Sequence, residues 1–261
     1  MRIELDFSGR HVMVFGGTTG INLGIADCFA QRRGRVTVVS RKQDNVDAAT
    51  AQLSKHGGEV LGVVADVRDP ATVEAAVAAS VARFGPIDVL VSGAAGNFLA
   101  EAKNLSPNGC GVVVDIDLKG TFHVMRLAYP HLARPGASVI NITAPQGQKP
   151  ARLQVHACAA KAGVDQVTRV LAQEWGPDGI RVNAISPGPI GDTEGVRRLV
   201  ASTPDAKRRA EARIPLGRFG ELDDIGNLAM FLASPYSGYI SGAIIPCDGG
   251  GSMDVERYQP E

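Results

Sequence analysis

The 261-residue chain is short of several things, and each shortage excludes something. Aromatic residues make up only 5% and tryptophan occurs once, while glycine occurs 31 times. That balance disfavours an all-β sandwich and suits a layered α/β fold with tight turns. Cysteine occurs four times, at Cys28, Cys110, Cys158 and Cys247, with no Cys-x-x-Cys pair. Such scattered cysteines read as reduced core or surface thiols in a cytosol-like compartment, and no metal site is expected. Net charge is absent: Lys+Arg and Asp+Glu both number 27, so a basic face for nucleic acid is not expected. No apolar run reaches the roughly 18–20 residues that a membrane span needs, so no membrane partner is expected. The opening residues mix both charge signs before any apolar run, unlike a signal peptide. The last three, Gln259, Pro260 and Glu261, form no peroxisomal tripeptide address, and a cytoplasmic protein is the expectation.

What is present is a rhythm. Short β-rich runs at His11–Phe15, Val36–Ser40, Val60–Val64, Ile87–Val91, Ser138–Ile142, Arg181–Ile185 and Ala243–Pro246 alternate with helical stretches. The helical stretches are Ile21–Arg33, Asn45–His56, Ala71–Phe84, Leu118–Leu132, Val155–Glu174 and Leu222–Ala233. This βαβα order predicts one α/β domain over residues 1–261, a doubly wound, parallel, seven-stranded sheet with helices on both faces. The strands are continuously apolar, as burial on both faces requires. Glycines and prolines at Gly34, Gly57-Gly58, Gly85-Pro86 and Gly176-Pro177 punctuate the helix ends. One irregular stretch, 187–215, is rich in Pro, Gly and Arg, with a short helical piece expected around Val196–Arg209. A loop that long is usually functional, and a substrate lid is expected there.

The first strand–helix junction reads Val-Phe-Gly-Gly-Thr-Thr-Gly-Ile-Asn-Leu-Gly, Val14 to Gly24. Gly16, Gly17 and Gly20, with Thr18, Thr19 and Ile21 between and after them, would let the backbone approach a pyrophosphate on the dipole of the next helix. The plainer alternative is an ordinary turn opening a helix. The second strand ends in Ser40-Arg41-Lys42. A site for NAD wants an acid there, whereas Arg41 suits the 2′-phosphate of NADP, so NADP(H) is the expected cofactor. A solvated basic pair is the alternative. Asp66, after the third strand, is a candidate acceptor for the adenine amino group, or equally a cap for the helix near Pro70.

Taken together these residues resemble the short-chain dehydrogenase/reductase superfamily, a Rossmann-fold group, over nearly the whole chain. The likeness continues through Ala65-Asp66-Val67, Ser92-Gly93-Ala94-Ala95-Gly96, Asp117–Phe122, Lys161, the Pro187-Gly188-Pro189-Ile190 turn that cradles nicotinamide in the family, and Asp248-Gly249-Gly250. The resemblance places Val67, Ala94, Ala95, Gly96, Lys161 and Pro187 to Ile190 around the cofactor. The superfamily's Asn–Ser–Tyr–Lys tetrad is mostly missing. Only Lys161 stands; the Tyr position is Ala157, the Ser position Ala144 and the Asn position Asp117, and the third glycine of the cofactor turn is Asn22. None of the four tyrosines falls on the motif helix, so ordinary carbonyl reduction lacks its proton donor.

The departures are themselves a pattern. Gly96–Phe98, Asp115–Asp117, Asn141–Ala144, Gln154–Ala157, Glu174–Pro177 and Pro187–Gly195 resemble the 2,4-dienoyl-CoA reductases, especially the peroxisomal branch. That resemblance implies an acyl-CoA substrate, NADPH-dependent formation of 3-enoyl-CoA in the degradation of unsaturated fatty acids, and an Asp117–Lys161 catalytic pair. Hydride goes to C5, charge reaches the thioester oxygen as a dienolate, and a proton arrives at C2, so no tyrosine is needed. A carboxylate beside an ammonium is ionised, so a water held by Asp117 is the expected donor. Asp117 could instead only kink its helix around a structural water, and Lys161 could only bind ribose. His156 adjoins the vacant Tyr position but points about 100° away around the helix. Thr143 and Gln154 are further pocket donors. Arg68 is implied beside the nucleotide of CoA, less firmly Arg197 and Arg198, and Phe98 along the acyl path. A homotetramer is implied through the helices Leu118–Leu132 and Val155–Glu174, with Val164, Val167 and Leu171 as the apolar face. The alternatives are an enoyl-thioester or other short-chain oxidoreductase, or a nucleotide-binding relative without turnover.

Overall fold

The computed structural model describes residues 5–191, 193, 196 and 203–253. Seven strands form one sheet: β1 (His11–Phe15), β2 (Arg35–Ser40), β3 (Val60–Val64), β4 (Val89–Ser92), β5 (Ser138–Ile142), β6 (Arg181–Pro187) and β7 (Ile244–Cys247). Their order is β3-β2-β1-β4-β5-β6-β7 and every pairing is parallel. The α-helices whose bounds fall among the described residues are α1 (Gly20–Gln31), α2 (Gln43–Leu53), α3 (Pro70–Phe84), α4 (Pro107–Val114), α5 (Gly120–Ala128), α6 (Val155–Trp175), α7 (Pro204–Glu211) and α8 (Leu222–Ala233).

Strand β1 shows why its run is apolar throughout. Its side chains alternate between faces with period two. Val12 and Val14 join one buried layer with Ile25 and Phe29 of α1 and Ala229 and Met230 of α8. Met13 and Phe15 join the other with Val73 and Val77 of α3, Val124 and Met125 of α5, and Trp175 of α6. After β1 the chain crosses to β2 on one side, and β4 later pairs on the other. Crossovers therefore leave opposite ways from these two neighbours and open a crevice beyond their carboxyl ends, where ligands bind in such sheets.

Several boundaries differ from expectation. The fourth strand begins at Val89, because Ile87 makes only an isolated bridge to Leu132. The helix expected from Leu118 starts eleven residues earlier, at Pro107, and runs through a π turn at Asp115–Lys119 into α5. Helix α4 was hidden by poor formers, Gly109, Gly111 and three valines. Its start was nevertheless written locally: the Ser106 hydroxyl accepts from the Gly109 N–H, and Pro107 fills the first turn. In the irregular segment, α7 is capped by Thr203 and Val196 is also helical; much of the helical piece expected around Val196–Arg209 lies outside the described residues. Arg197 and Arg198 lie outside the described residues. Val164 and Leu171 are buried against the body of the protein and Val167 packs there too, so they are not a free apolar face. The exposed apolar residues of α5 and α6 are Phe122, Val155 and Val170. All four cysteines are free, and burial pushes the Cys28 thiol up to about 12.

Candidate active site

The crevice beyond β1 and β4 encloses about 370 Å³ and is lined by Gly16, Thr19, Asn22, Arg41, Asp66, Val67, Ala94 and Ala95, among others. Thr19 is the N-cap of α1 and has no side-chain cap bond, and no acid occupies the first turn. The positive end of that helix is thus open to an anion. The turn is tight enough to need its glycines. Gly16 has φ +76°, and a Cβ there would come 2.9 Å from the Ala94 nitrogen; at Gly17 it would come 2.8 Å from the Val14 carbonyl oxygen. Asn22, in place of the third glycine, ties the turn to β4: its Nδ2 donates to the Gly93 carbonyl at 2.7 Å. Its Oδ1 is buried without a partner among the described residues. Arg41 is exposed at the end of β2, with no carboxylate within ion-pair distance among the described residues. The glycine cradle, the open helix terminus and the unspent Arg41 fit a phosphorylated dinucleotide. Thr18, Gly20 and Ile21 belong to the same turn but do not line the crevice.

Asp66 lines the crevice but does not cap the helix that follows, and its carboxylate is paired with Arg68. Both its oxygens accept from Arg68: the backbone N–H at 3.0 Å, Nε at 3.0 Å and a terminal nitrogen at 2.5 Å. The Arg68 guanidinium holds its carboxyl below the usual range. The cap of α3 is Asp69, whose side chain accepts from the Ala71 N–H. Arg68 is therefore folded onto Asp66 at the rim of the cofactor crevice. On the far side, Gly188 packs against Asp248, where a Cβ would come 2.7 Å from Cα, and Gly220 donates to the Pro189 carbonyl. Ile190 is buried. The Pro187–Ile190 turn is thus pinned to β7 and to Gly220.

The π turn puts Asp117 on the inner side of its helix. Its backbone carbonyl accepts from the Thr121 hydroxyl at 2.7 Å, and its side chain is 2% exposed. Oδ1 accepts the Gly96 N–H at 2.8 Å, and Oδ2 lies 3.2 Å from the Lys161 ammonium. Lys161 also donates to the Ile142 carbonyl at 3.0 Å. Two of its three N–H directions are spent, which leaves one for a ligand. The pair opens on a cleft of about 160 Å³ walled by Ala95, Gly96, Asn97, Ala144, Gln146 and Ala157. Ala144 and Ala157 in its lining stand where the superfamily that the sequence resembles carries hydroxyls.

His156 does not reach this cleft. It is wholly buried, both ring nitrogens lack partners among the described residues, and its ring stacks at 4.5 Å on Phe98. Phe98 is half-buried in that contact and lines none of the clefts described above. Gln154 accepts from Asn97 at 2.6 Å and from Gln146 at 3.3 Å, so it braces two wall residues rather than lining the wall. Thr143 donates to the Lys161 backbone carbonyl at 3.5 Å. Sequence reasoning passed over Asp165, one turn beyond Lys161. Burial pushes its carboxyl up, and neither oxygen has a partner within ordinary hydrogen-bond limits among the described residues, although Thr143 and Gln148 come near enough to offset part of that push. Gly147 lies against it, where a Cβ would sit 2.7 Å from Oδ2. Only the aspartate's spacing from Lys161 on one helix face could have flagged it.

A family model described as enoyl-(acyl carrier protein) reductase matches residues 16–252. A protein of Pongo abelii named peroxisomal 2,4-dienoyl-CoA reductase [(3E)-enoyl-CoA-producing] is 42% identical, covering 91% of this chain and 82% of that one. Its namesake in Danio rerio is 39% identical over 96% and 85%. Among solved structures, a short chain dehydrogenase of Bacillus anthracis superposes with a TM-score of 0.85 at 33% identity, covering 96% of this chain and 99% of the other. Levodione reductase superposes at 0.89 with 29% identity, covering 95% and 100%. With a parallel seven-stranded sheet, a glycine cradle at its switch point and this degree of likeness, the chain belongs to the short-chain dehydrogenase/reductase superfamily.

Proposed function

We propose that the protein is an NADPH-dependent reductase of 2,4-dienoyl-CoA thioesters, forming 3-enoyl-CoA in the breakdown of unsaturated fatty acids. The observation that carries this reading is the buried Asp117–Lys161 pair facing a cleft walled by Ala144 and Ala157. A proton must reach a carbon, not an alkoxide, so the missing hydroxyls are no obstacle. The nicotinamide group, when bound, supplies hydride chemistry. Lys161, fixed by Asp117 and the Ile142 carbonyl, turns its free N–H toward the cleft, where it binds ribose and lends positive charge to the developing dienolate oxygen. Asp117 keeps unspent lone pairs on both oxygens and holds the water that protonates C2. Gly96 fixes the carboxylate's orientation. Arg41 reads the 2′-phosphate, and the turn from Gly16 to Ile21, with Val67, Ala94, Ala95 and Pro187 to Ile190, surrounds the cofactor. Arg68 releases Asp66 to meet the nucleotide of CoA, and the 187–215 segment closes over the acyl chain.

The test is oxidation of NADPH with 2,4-dienoyl-CoA and identification of the product double bond. Absence of turnover with a functional cofactor site would leave a nucleotide-binding relative without this reaction. The description of the matching family model favours one second reading, reduction of a 2-enoyl thioester. Side-by-side rates with 2-enoyl-CoA and 2,4-dienoyl-CoA separate the two. The homotetramer belongs to the same proposal, supported by the exposed Phe122, Val155 and Val170 on neighbouring helices. A monomer by light scattering at micromolar concentration would remove it. No helix among the described residues is long and apolar enough to cross a membrane. The cytoplasmic setting is proposed with the rest, and cell fractionation decides it.

A further inference from the structure

A second cleft, of about 420 Å³, adjoins the first. Pro145, the neighbour of Ala144, lies on its wall, as do Gly188 and Pro189 of the turn assigned to nicotinamide. The facing wall is α7, which presents Ala206, Arg209 and Ala210, with Arg213 just past its end. That spacing is one helix face. The remaining charges of α7 are spent on one another: Arg208 pairs with Asp205, and Lys207 with Glu211. Arg209 and Arg213 have no carboxylate partner among the described residues, although both face the cleft. Among the described residues the one acid lining the cleft, Asp248, is already engaged. Its Oδ1 accepts the Gly250 N–H at 2.9 Å and its Oδ2 the Ser252 N–H at 2.7 Å. Two like charges a turn apart repel, and an oxyanion held between them reverses that cost through charge-assisted hydrogen bonds.

We infer that Arg209 and Arg213 form an anion-binding subsite at the acyl end of the reaction cleft, and that the favoured thioester carries a carboxylate on its acyl chain. This rests on the dienoyl-thioester reading above. The oxyanion could also come from the phosphates of CoA. Position favours the acyl chain: Pro145 places the subsite beside the reacting carbons, whereas the long pantetheine arm carries the phosphates away from them. Arg68, the residue assigned to the CoA nucleotide, stands at the cofactor crevice after β3.

The test compares a dienoyl-CoA bearing a terminal carboxylate with the unsubstituted dienoyl-CoA of equal length, and with the unsubstituted dienoyl-pantetheine. The native protein is expected to show a KM about tenfold lower for the carboxylated substrate, the scale of one charge-assisted contact. Arg209→Ala combined with Arg213→Ala should erase that preference. Arg208→Ala, on the solvent side, should keep it. An equal preference in the double variant overturns the inference. So does a KM rise shared by the unsubstituted CoA thioester and absent for pantetheine, which would put CoA phosphates on the pair. If the native protein turns over none of these thioesters, the reductase reading fails and binding decides the subsite. Calorimetric titration of the NADP⁺-loaded protein with adipoyl-CoA and hexanoyl-CoA should then show tighter binding of adipoyl-CoA, lost in the double variant; equal binding of the two overturns the subsite as well.

Discussion

The two ends of the sheet treat polar groups in opposite ways. At the amino ends of the strands His11, Asp88 and Arg181 are all engaged. The buried His11 ring bonds the Gly85 carbonyl at 2.9 Å and the Ser80 hydroxyl at 2.7 Å. Asp88 accepts from Arg10 at 2.7 Å and from the His11 N–H at 2.8 Å. Arg181 donates to the Leu232 carbonyl at 2.7 Å and the Ser237 hydroxyl at 2.8 Å. At the carboxyl ends, Arg41, Arg209 and Arg213 make no ion pair among the described residues, and Asn22 Oδ1 and both oxygens of Asp165 lack partners there. Volume does not separate the ends, because a cleft of about 690 Å³ lies at the amino side among Arg10, Asp88 and Arg181. Unspent hydrogen-bonding capacity does. Buried polar groups are normally satisfied, and of those left over the ones that line a cleft, with the cleft-lining arginines, are open to a ligand.

That contrast can be broken most directly at Asp117. Asp117→Ala should lower kcat by roughly 10²–10⁴, the range for a lost acid–base function, while NADPH affinity holds. It also strips Lys161 of its partner and should lower stability by about 3–5 kcal/mol in denaturant unfolding. Asp117→Asn keeps the shape; near-normal turnover there would show that holding water suffices and the charge is incidental. Full activity in both variants would remove the pair from the mechanism. Lys161→Ala should damage kcat and cofactor binding together.

The amino end should show the reverse profile. Arg181→Ala strands several carbonyls and should cost about 2–3 kcal/mol of stability, with KM and kcat unaltered. A kinetic defect without a stability loss would erase the distinction between the ends. Next in size, Arg41→Ala should shrink the preference for NADPH over NADH by roughly 10- to 100-fold, from about 1.5–3 kcal/mol for one bidentate phosphate contact, with unfolding unchanged. An unchanged ratio would make Lys42 the reader of the phosphate.

The smallest effects are those of pH, and they have opposite signs at the two ends. Burial holds the His11 imidazole below its ordinary 6.5. Its contribution to stability is whole above that value and is lost as pH falls through the depressed one. Burial pushes the Asp165 carboxyl above 3.8. Its site is unpenalised below 3.8, and stability drains as pH rises from there through the raised value. Asp165→Asn should therefore add a little stability at neutral pH and none in strong acid. A gain independent of pH would mean that the carboxyl is not ionising in that window.

Much of this was legible in the chain because it is local. The limits of β1, β3, β5 and α8 follow from apolar runs and their punctuation, and the glycine cradle and Arg41 announce themselves at the first two strand ends. The vacant Ala144 and Ala157, the substituted Asp117 and the retained Lys161 could be named by likeness of motif, and they do meet at one cleft. Local signals failed where an interaction partner lies far along the chain. Val164 and Leu171 looked like an interface and are core. Apolar periodicity says that a helix has a buried face, and only packing says what buries it. His156 and Asp165 sit on the same helix as Lys161, yet one vanishes under Phe98 and the other against Gly147. Nothing in the order of residues states that Arg209 and Arg213 look across a cleft at Pro145, since that depends on how the segment after β6 returns over the sheet. The sequence determined the elements and the chemistry available at each strand end. The tertiary structure decided which charges were paired and which were left for a ligand, because pairing depends on distances between residues that the chain order does not contain.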